Sequence, residues 1–173
     1  MADVFSKRKR SAVMSRIRGR GNKDTELALA KLLRAHGISG WRRQVEIRGR
    51  AALPRGPNFE AAQQRRPTSS FRVRPDFVFR QVRLALFVDG CFWHGCPQHG
   101  TKPKNNAAFW RKKLNANKRR DVLVTRTLRK SGWRVVRIWE HALRRATTGK
   151  PIKREANEAR LIQRIRGRWK SEG

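Results

Sequence analysis

The chain has 173 residues, enough for one domain of ordinary size that buries a core without disulfide staples. It carries 44 Lys and Arg against 12 Asp and Glu, a net charge of +32, an excess that repels itself unless a polyanion relieves it. A membrane surface is the rival polyanion to nucleic acid, but no segment approaches the roughly 20 apolar residues of a spanning helix.

In chain order, residues 1–22 are basic and broken by Gly19 and Gly21, which predicts an N-terminal arm. A domain is expected over 23–145. It opens with a helix from about Glu26, capped by Asp24 or Thr25, carrying Leu27, Leu29, Ala30 and Leu33 on one stripe and ended by Gly37. The stretch 48–70, with Gly49, Pro54, Gly56, Pro57 and Pro67, has no period and reads as a loop insertion. Val73 to Phe79 and Val82 to Val88 fit adjacent strands. Ala107 to Lys130 is helical in pattern, very basic on one face and stopped by Gly132. The β-formers from Trp133 to Trp139 follow directly, as in a β-α-β unit. Residues 146–173 read as a basic extension whose Ile152 to Trp169 segment is an amphipathic helix. The predicted order is α-β-β-β-α-β-α, an α/β sandwich.

The basic N-terminus lacks the apolar stretch of a signal peptide, so a cytoplasmic protein with reduced thiols is expected. There are two cysteines, Cys91 and Cys96, and in a reducing compartment close cysteines read as metal ligands before they read as a disulfide. Cys91-x4-Cys96-x2-His99, with His141 just after the last strand, supplies two thiolates and two imidazoles, the set that a closed tetrahedral zinc site requires. The competing reading is unrelated core cysteines and surface histidines. The chain has no tyrosine, which excludes cleavage through a covalent phosphotyrosine and leaves a metal-activated water as the nucleophile if the chain cuts DNA.

Asp76 follows Pro75 at the head of Phe-Val-Phe, and Asp89 ends the next strand. Two facing carboxylates at strand edges can hold Mg²⁺, with phosphate oxygen and water completing the octahedron. A turn, or a salt bridge to Lys or Arg, is the alternative. In the loop after Cys91, His94 could serve as a general acid or base, or as an alternative zinc ligand. Trp93 in this polar loop is hard to bury and suits a wedge between bases. Phe109, at the opening of the long helix, reads as core.

The run Phe87-Val88-Asp89-Gly90-Cys91-Phe92-Trp93-His94-Gly95-Cys96-Pro97-Gln98-His99 resembles the hallmark of very-short-patch repair (Vsr) endonucleases. So do Arg74-Pro75-Asp76-Phe77-Val78-Phe79, Phe109-Trp110-Arg111-Lys112-Lys113-Leu114, Asn117-x-x-Arg120-Asp121 and Gly132-Trp133-Arg134-Val135-Val136 with Trp139-Glu140. Arg10-Ser11, Met14-Ser15 and Ile17 in the arm, and the Thr25-Glu26 helix start, also match. The resemblance spans roughly residues 8 to 145. It implies a restriction-endonuclease-like core, a central mixed sheet flanked by helices with a structural zinc. It also implies Mg²⁺-dependent nicking of duplex DNA 5′ to the thymine of a T:G mismatch left by deaminated 5-methylcytosine. On the matching positions Asp76 would be the Mg²⁺-binding aspartate, His94 would be catalytic, and Glu26 would support the site, while Asp89 either joins the metal or takes a proton. Cys91, Cys96, His99 and His141 would hold Zn²⁺. Phe92, Trp93 and Trp110 would wedge into DNA, with Arg111, Lys112 and Arg120 also on it. A monomer is expected, with mismatch-repair proteins as further partners. Two positions depart from the family pattern: His141 stands where cysteine is frequent, and Asp89 where some members have histidine. A related nickase with another target and a non-catalytic zinc-stabilised binder are the rival functions.

Overall fold

The computed structural model describes residues 23–52, 68–101, 103, 105–147 and 151–169. The arm 1–22, with its matching motif, and the middle of the 48–70 stretch lie outside the described residues.

A mixed four-stranded sheet is the centre of the fold, in the order β1 (Trp41–Arg43), β4 (Phe77–Phe79), β5 (Leu84–Asp89), β6 (Arg134–Trp139). β1, β4 and β5 pair antiparallel, and β5 and β6 pair parallel, Leu84 with Arg134 through Asp89 with Trp139. A parallel pair needs a long crossover. Here the crossover is the Cys-rich loop and α2 (Ala107–Lys130), with the bounds that the periodicity predicts.

Alternation along the strands sorts side chains onto two faces. Phe77, Phe79, Leu84, Leu86, Val136 and Ile138 face a cluster with Leu29 and Leu33 of α1 (Ala28–Ala35), Leu143 of α3 (Glu140–Thr147) and Leu161 and Ile165 of α4 (Pro151–Trp169). Val78, Ala85 and Val135, one residue out of step, face Leu128 of α2 and Ile47. The central strands are therefore apolar on both faces, as for a sheet covered on both sides.

Several elements differ from the sequence-based expectation. The first helix opens as a π turn over Lys23–Leu27, so Asp24 and Thr25 lie inside that turn rather than ahead of it, and α1 begins without a side-chain cap. Val73 to Phe79 is two strands. Pro75 offers no N–H to a ladder, so the chain breaks there, and Val73 ends β3 (Thr68–Val73) while Phe77 starts β4. The ends of the 48–70 stretch are paired strands, β2 (Ile47–Ala52) with β3 (Thr68–Val73). The expected helix of the 146–173 segment is present as α4, and its Leu161, Ile162 and Ile165 are buried in the first cluster. Its partner contact is His36 Nε2 to Glu158 at 2.6 Å, joining the end of α1 to α4.

The glycine stop of α2 has a definite geometry. Gly132, at φ +78°, donates to Arg129 O, and Trp133 N–H donates to Leu128 O. This 5→2 and 6→1 pair closes the last turn only when the residue at C′ is left-handed, the role glycine fills most easily. The chain is thereby turned straight into β6.

Candidate active site and metal centre

The parallel pairing brings the ends of β5 and β6 to one edge of the sheet, and the antiparallel β4 begins at that same edge. A cleft of about 780 Å³ opens there. Glu26, Asp76, Asp89, Asp121 and Glu140 all line it, five of the twelve acids in the chain.

Asp76 sits at the break created by Pro75. Its Oδ2 accepts from Val88 N–H at 2.7 Å and its Oδ1 from Gln44 Nε2 at 3.2 Å. Gln44 also donates to Glu26 Oε2 at 3.2 Å, and Arg43 donates to the same oxygen at 2.8 Å. Gln44 has φ 54°, a left-handed conformation unusual outside glycine, which places its amide between the two acids. No cation pairs with Asp76 among the described residues. Burial is the chief force on its carboxyl, with Glu26 and Asp89 adding repulsion, and its pKa is pushed up to about 6. Each Asp76 oxygen keeps a lone pair beyond the hydrogen bond it accepts. A part-buried carboxylate with spare lone pairs and no guanidinium suits a hard divalent cation.

The end of β5 is built differently. Arg137, beside Phe87 in the β5–β6 register, crosses that ring at 5.0 Å and reaches Asp89 with both arms of its fork, Nε to Oδ2 at 2.7 Å and a terminal nitrogen to Oδ1 at 2.6 Å. Asp89, expected to share a metal with Asp76, differs from it in that a guanidinium already neutralises its charge. The same arginine reaches Asp121 Oδ1 at 3.0 Å, and Asp121 Oδ2 lies 2.6 Å from His94 Nδ1. An ionised carboxylate can only accept, so His94 Nδ1 carries the proton and its Nε2 keeps a lone pair when the ring is neutral. His94 thus has the geometry of a proton carrier, held by Asp121 rather than by a metal.

Arg137 and Gln44 are site residues that the sequence did not single out, and Asp121 stood there only within a family-like run, with no role given. A signal for Asp121 existed. Trp110, Leu114, Asn117, Asp121, Val124 and Leu128 recur at steps of four and three, the inward stripe of α2, and Asp121 is the one acid in that helix. Arg137 is a charge set among the apolar Val135, Val136, Ile138 and Trp139 of a parallel strand, the same kind of anomaly.

Behind the cleft, Cys91, Cys96, His99 and His141 converge, their four ligand atoms within 4.8 Å of one another. Cys91 Sγ and Cys96 Sγ lie 3.2 and 3.5 Å from His141 Nδ1, and Cys96 Sγ lies 3.9 Å from His99 Nδ1. Sulfur and nitrogen ligands on a tetrahedral zinc stand about 3.6 Å apart, from the usual bond lengths. The donor set and its edges fit such an ion. Burial pushes the Cys91 thiol up, with Cys96 adding to the shift, and lowers the affinity of His141 for a proton. His141 follows β6 directly, which is how a ligand 42 residues beyond His99 reaches the loop. Glu140 Oε2 accepts from Cys91 N–H at 3.1 Å, a second tie between that strand end and the loop.

Phe92, Trp93 and Trp110 form one aromatic cluster, with centroids 5.1, 5.2 and 6.1 Å apart. All three are part-buried, and Phe92 and Trp93 line the cleft. Asn117 holds the Trp93 carbonyl at 2.9 Å. Phe109, expected in the core, is 59 % exposed, because the inward stripe passes through Trp110 instead. Arg111 and Lys112 are exposed on α2, and Arg120, also exposed, lines the cleft.

Known proteins of one family resemble this chain. The family described as DNA mismatch endonuclease Vsr matches residues 60–99. The chain is 33 % identical to the DNA mismatch endonuclease Vsr of Escherichia coli (strain K12), over 83 % of this chain and 77 % of that one. It is 32 % identical to the type II nicking enzyme V.NmeDIP of Neisseria meningitidis serogroup C, over 84 % of this chain and 83 % of that one. With the type II nicking enzyme V.NaeI of Lentzea aerocolonigenes it shares 50 % identity over 70 residues, a match spanning 40 % of this chain and 42 % of that relative. On this fold, this cleft and these relatives, the chain belongs to the Vsr family and is a DNA endonuclease.

Proposed function

We propose that the chain nicks one strand of duplex DNA 5′ to the thymine of a T:G mismatch, using Mg²⁺, and so initiates very-short-patch repair of deaminated 5-methylcytosine. The observation that carries this reading is the meeting, in one cleft, of a part-buried carboxylate that no described cation pairs, a braced histidine and the rings of Phe92 and Trp93. Asp76 would hold Mg²⁺, which supplies charge for the phosphate and a more acidic bound water. His94 exchanges a proton at Nε2 with a group at the scissile phosphate, its ring fixed by Asp121. Glu26 acts through Gln44 to fix the Asp76 carboxylate. Asp89, held by Arg137, serves as a brace for this array rather than as a ligand.

Cys91, Cys96, His99 and His141 would hold a structural Zn²⁺ that fixes the loop bearing Phe92, Trp93 and His94. Those rings and Trp110 would stack into the duplex at the mismatch, while Arg111, Lys112 and Arg120 bear on DNA. The protein would act as a cytoplasmic monomer, with mismatch-repair proteins as further partners. No described helix is long and apolar enough to cross a membrane. The core would be restriction-endonuclease-like, with 1–22 as a basic arm on the 23–145 domain and 146–173 as its helical continuation.

The test is a nicking assay on T:G and C:G duplexes of one sequence, with Mg²⁺ or chelator. Cutting of both duplexes alike would remove the mismatch reading. A second reading is favoured by the relatives named as type II nicking enzymes: the same chemistry directed to another DNA context. A panel of flanking sequences around the mismatch separates the two.

A further inference from the structure

The β2–β3 ribbon has two unlike faces. Ile47, Phe71 and Val73 pack into the second hydrophobic cluster, so the ribbon is anchored to the domain. Ile47 pairs with Val73 and Gly49 with Phe71 across the strands. A Cβ on Gly49 would stand 2.6 Å from the Phe71 ring, so only glycine lets that ring cross the ribbon and reach the cluster.

The other face is cationic. Arg48 and Arg72 are direct cross-strand partners, with 69 % and 72 % of their side chains exposed. Like charges placed directly opposite are unfavourable in a sheet. Arg74, 40 % exposed, continues the row, and Glu46 is the one carboxylate facing all three among the described residues, at 2.6 Å from Arg48, 4.0 Å from Arg72 and 3.4 Å from Arg74. Among these four side chains, one carboxylate against three guanidiniums leaves a surplus of positive charge on the paired strands. Arg72 and Arg74 line the rim of the cleft, and Arg48 lies beside Arg72, so the row starts where the substrate backbone would leave the site.

We infer that the outward face of this ribbon is a second DNA-backbone contact, in which Arg48, Arg72 and Arg74 take phosphate oxygens of the duplex flanking the cut. The inference rests on the reading that duplex DNA is the substrate. Guanidiniums match phosphate geometry, and a paired, core-anchored ribbon presents them in fixed register. Such contacts position the duplex and carry no base information themselves.

The test is binding of the full chain to a duplex centred on the mismatch, measured by fluorescence anisotropy across a salt series and by hydroxyl-radical footprinting. The Arg48→Gln/Arg72→Gln variant should lower the slope of log affinity against log salt by about 1.8, at 0.9 per phosphate lost, and expose one flank of the footprint. Arg48→Lys/Arg72→Lys, which keeps the charge, should retain most of the slope and guards against a loss due to misfolding. Arg160→Gln/Arg164→Gln, on exposed positions of α4, which contributes nothing to the cleft, should leave the footprint intact. A wild-type slope and footprint in the Arg48→Gln/Arg72→Gln variant, or the same flank lost in the α4 variant, overturns the ribbon contact alone. Failure of the wild-type chain to bind duplex overturns the underlying substrate reading as well.

Discussion

Arg137 and Asp89 form a two-bond fork, 2.7 and 2.6 Å, in which the carboxylate is 6 % exposed and the guanidinium side chain 21 %. Removing one partner of such a pair strands a buried charge, whereas replacing both with apolar groups can be nearly neutral. Arg137→Met should therefore cost about 3–5 kcal/mol in urea denaturation. Asp89→Leu/Arg137→Met should recover much of that stability while still losing activity, because Asp121 would lack one of its braces. Full nicking by the double variant would show that the fork serves the fold alone.

Asp76 sets up an opposition between stability and activity. Its carboxyl titrates at about 6 in the fold against 3.8 ordinarily, so the folded state holds the proton more tightly. For a raised carboxyl, stability falls as pH rises from about 4 to 6 and stays reduced above it. At 1.36 kcal/mol per unit, the loss at neutral pH is about 3 kcal/mol in metal-free protein. Asp76→Asn should remove that component, read as the difference between the two proteins in thermal melts from pH 4 to 8. Mg²⁺ should narrow the gap by stabilising only the wild type. Asp76→Asn should also abolish nicking while leaving DNA affinity within a few-fold, since affinity comes mainly from Lys and Arg on phosphate. Robust Mg²⁺-dependent cutting by the variant would remove Asp76 from the metal.

Metal analysis of purified protein should give about one zinc per chain, as a four-ligand site implies. Because such ligands are not organised in the unfolded chain, binding free energy becomes folding free energy. Chelation or His141→Ala should lower the melting temperature, while His141→Cys, another zinc ligand, should restore it. Metal-free protein that melts at the same temperature would make the cluster incidental.

Trp93→Ala should reduce the preference for T:G over matched duplex and leave the salt dependence of binding nearly unchanged. Unstacking costs a few kcal/mol per step and falls most heavily on a matched pair, so inserted rings discriminate where charge does not. Trp110→Ala should act in the same direction. Unaltered preference with a lower melting temperature would assign the rings to packing.

What the sequence displays depends on whether a residue acts through its neighbours in the chain or across the fold. The Cys-rich run, the long helix and its glycine stop are local patterns, and Ala107–Lys130 has the predicted bounds. Asp76 and His94 were legible as chemistry-bearing types in unusual settings. The brace of His94 was not, because Asp121 lies 27 residues away and Arg137 a strand further. Gln44 was invisible for a different reason: its role comes from a left-handed backbone that no spacing encodes. β1 and the ribbon escaped because three-residue strands and glycine-broken runs lack a period long enough to detect.

The five acids that line the cleft sit inside a chain of net charge +32, and Arg72, Arg74, Arg120 and Arg137 line the same cleft. From afar a nucleic acid meets only attraction, and its arrival is hastened by the whole surface. At close range three of those acids are already met by guanidiniums, Glu26 by Arg43 and both Asp89 and Asp121 by Arg137, so repulsion of a phosphate would come chiefly from Asp76 and Glu140. On the proposed reading a divalent cation at Asp76 would remove much of it, and an encounter without the cation would be a search and not a commitment.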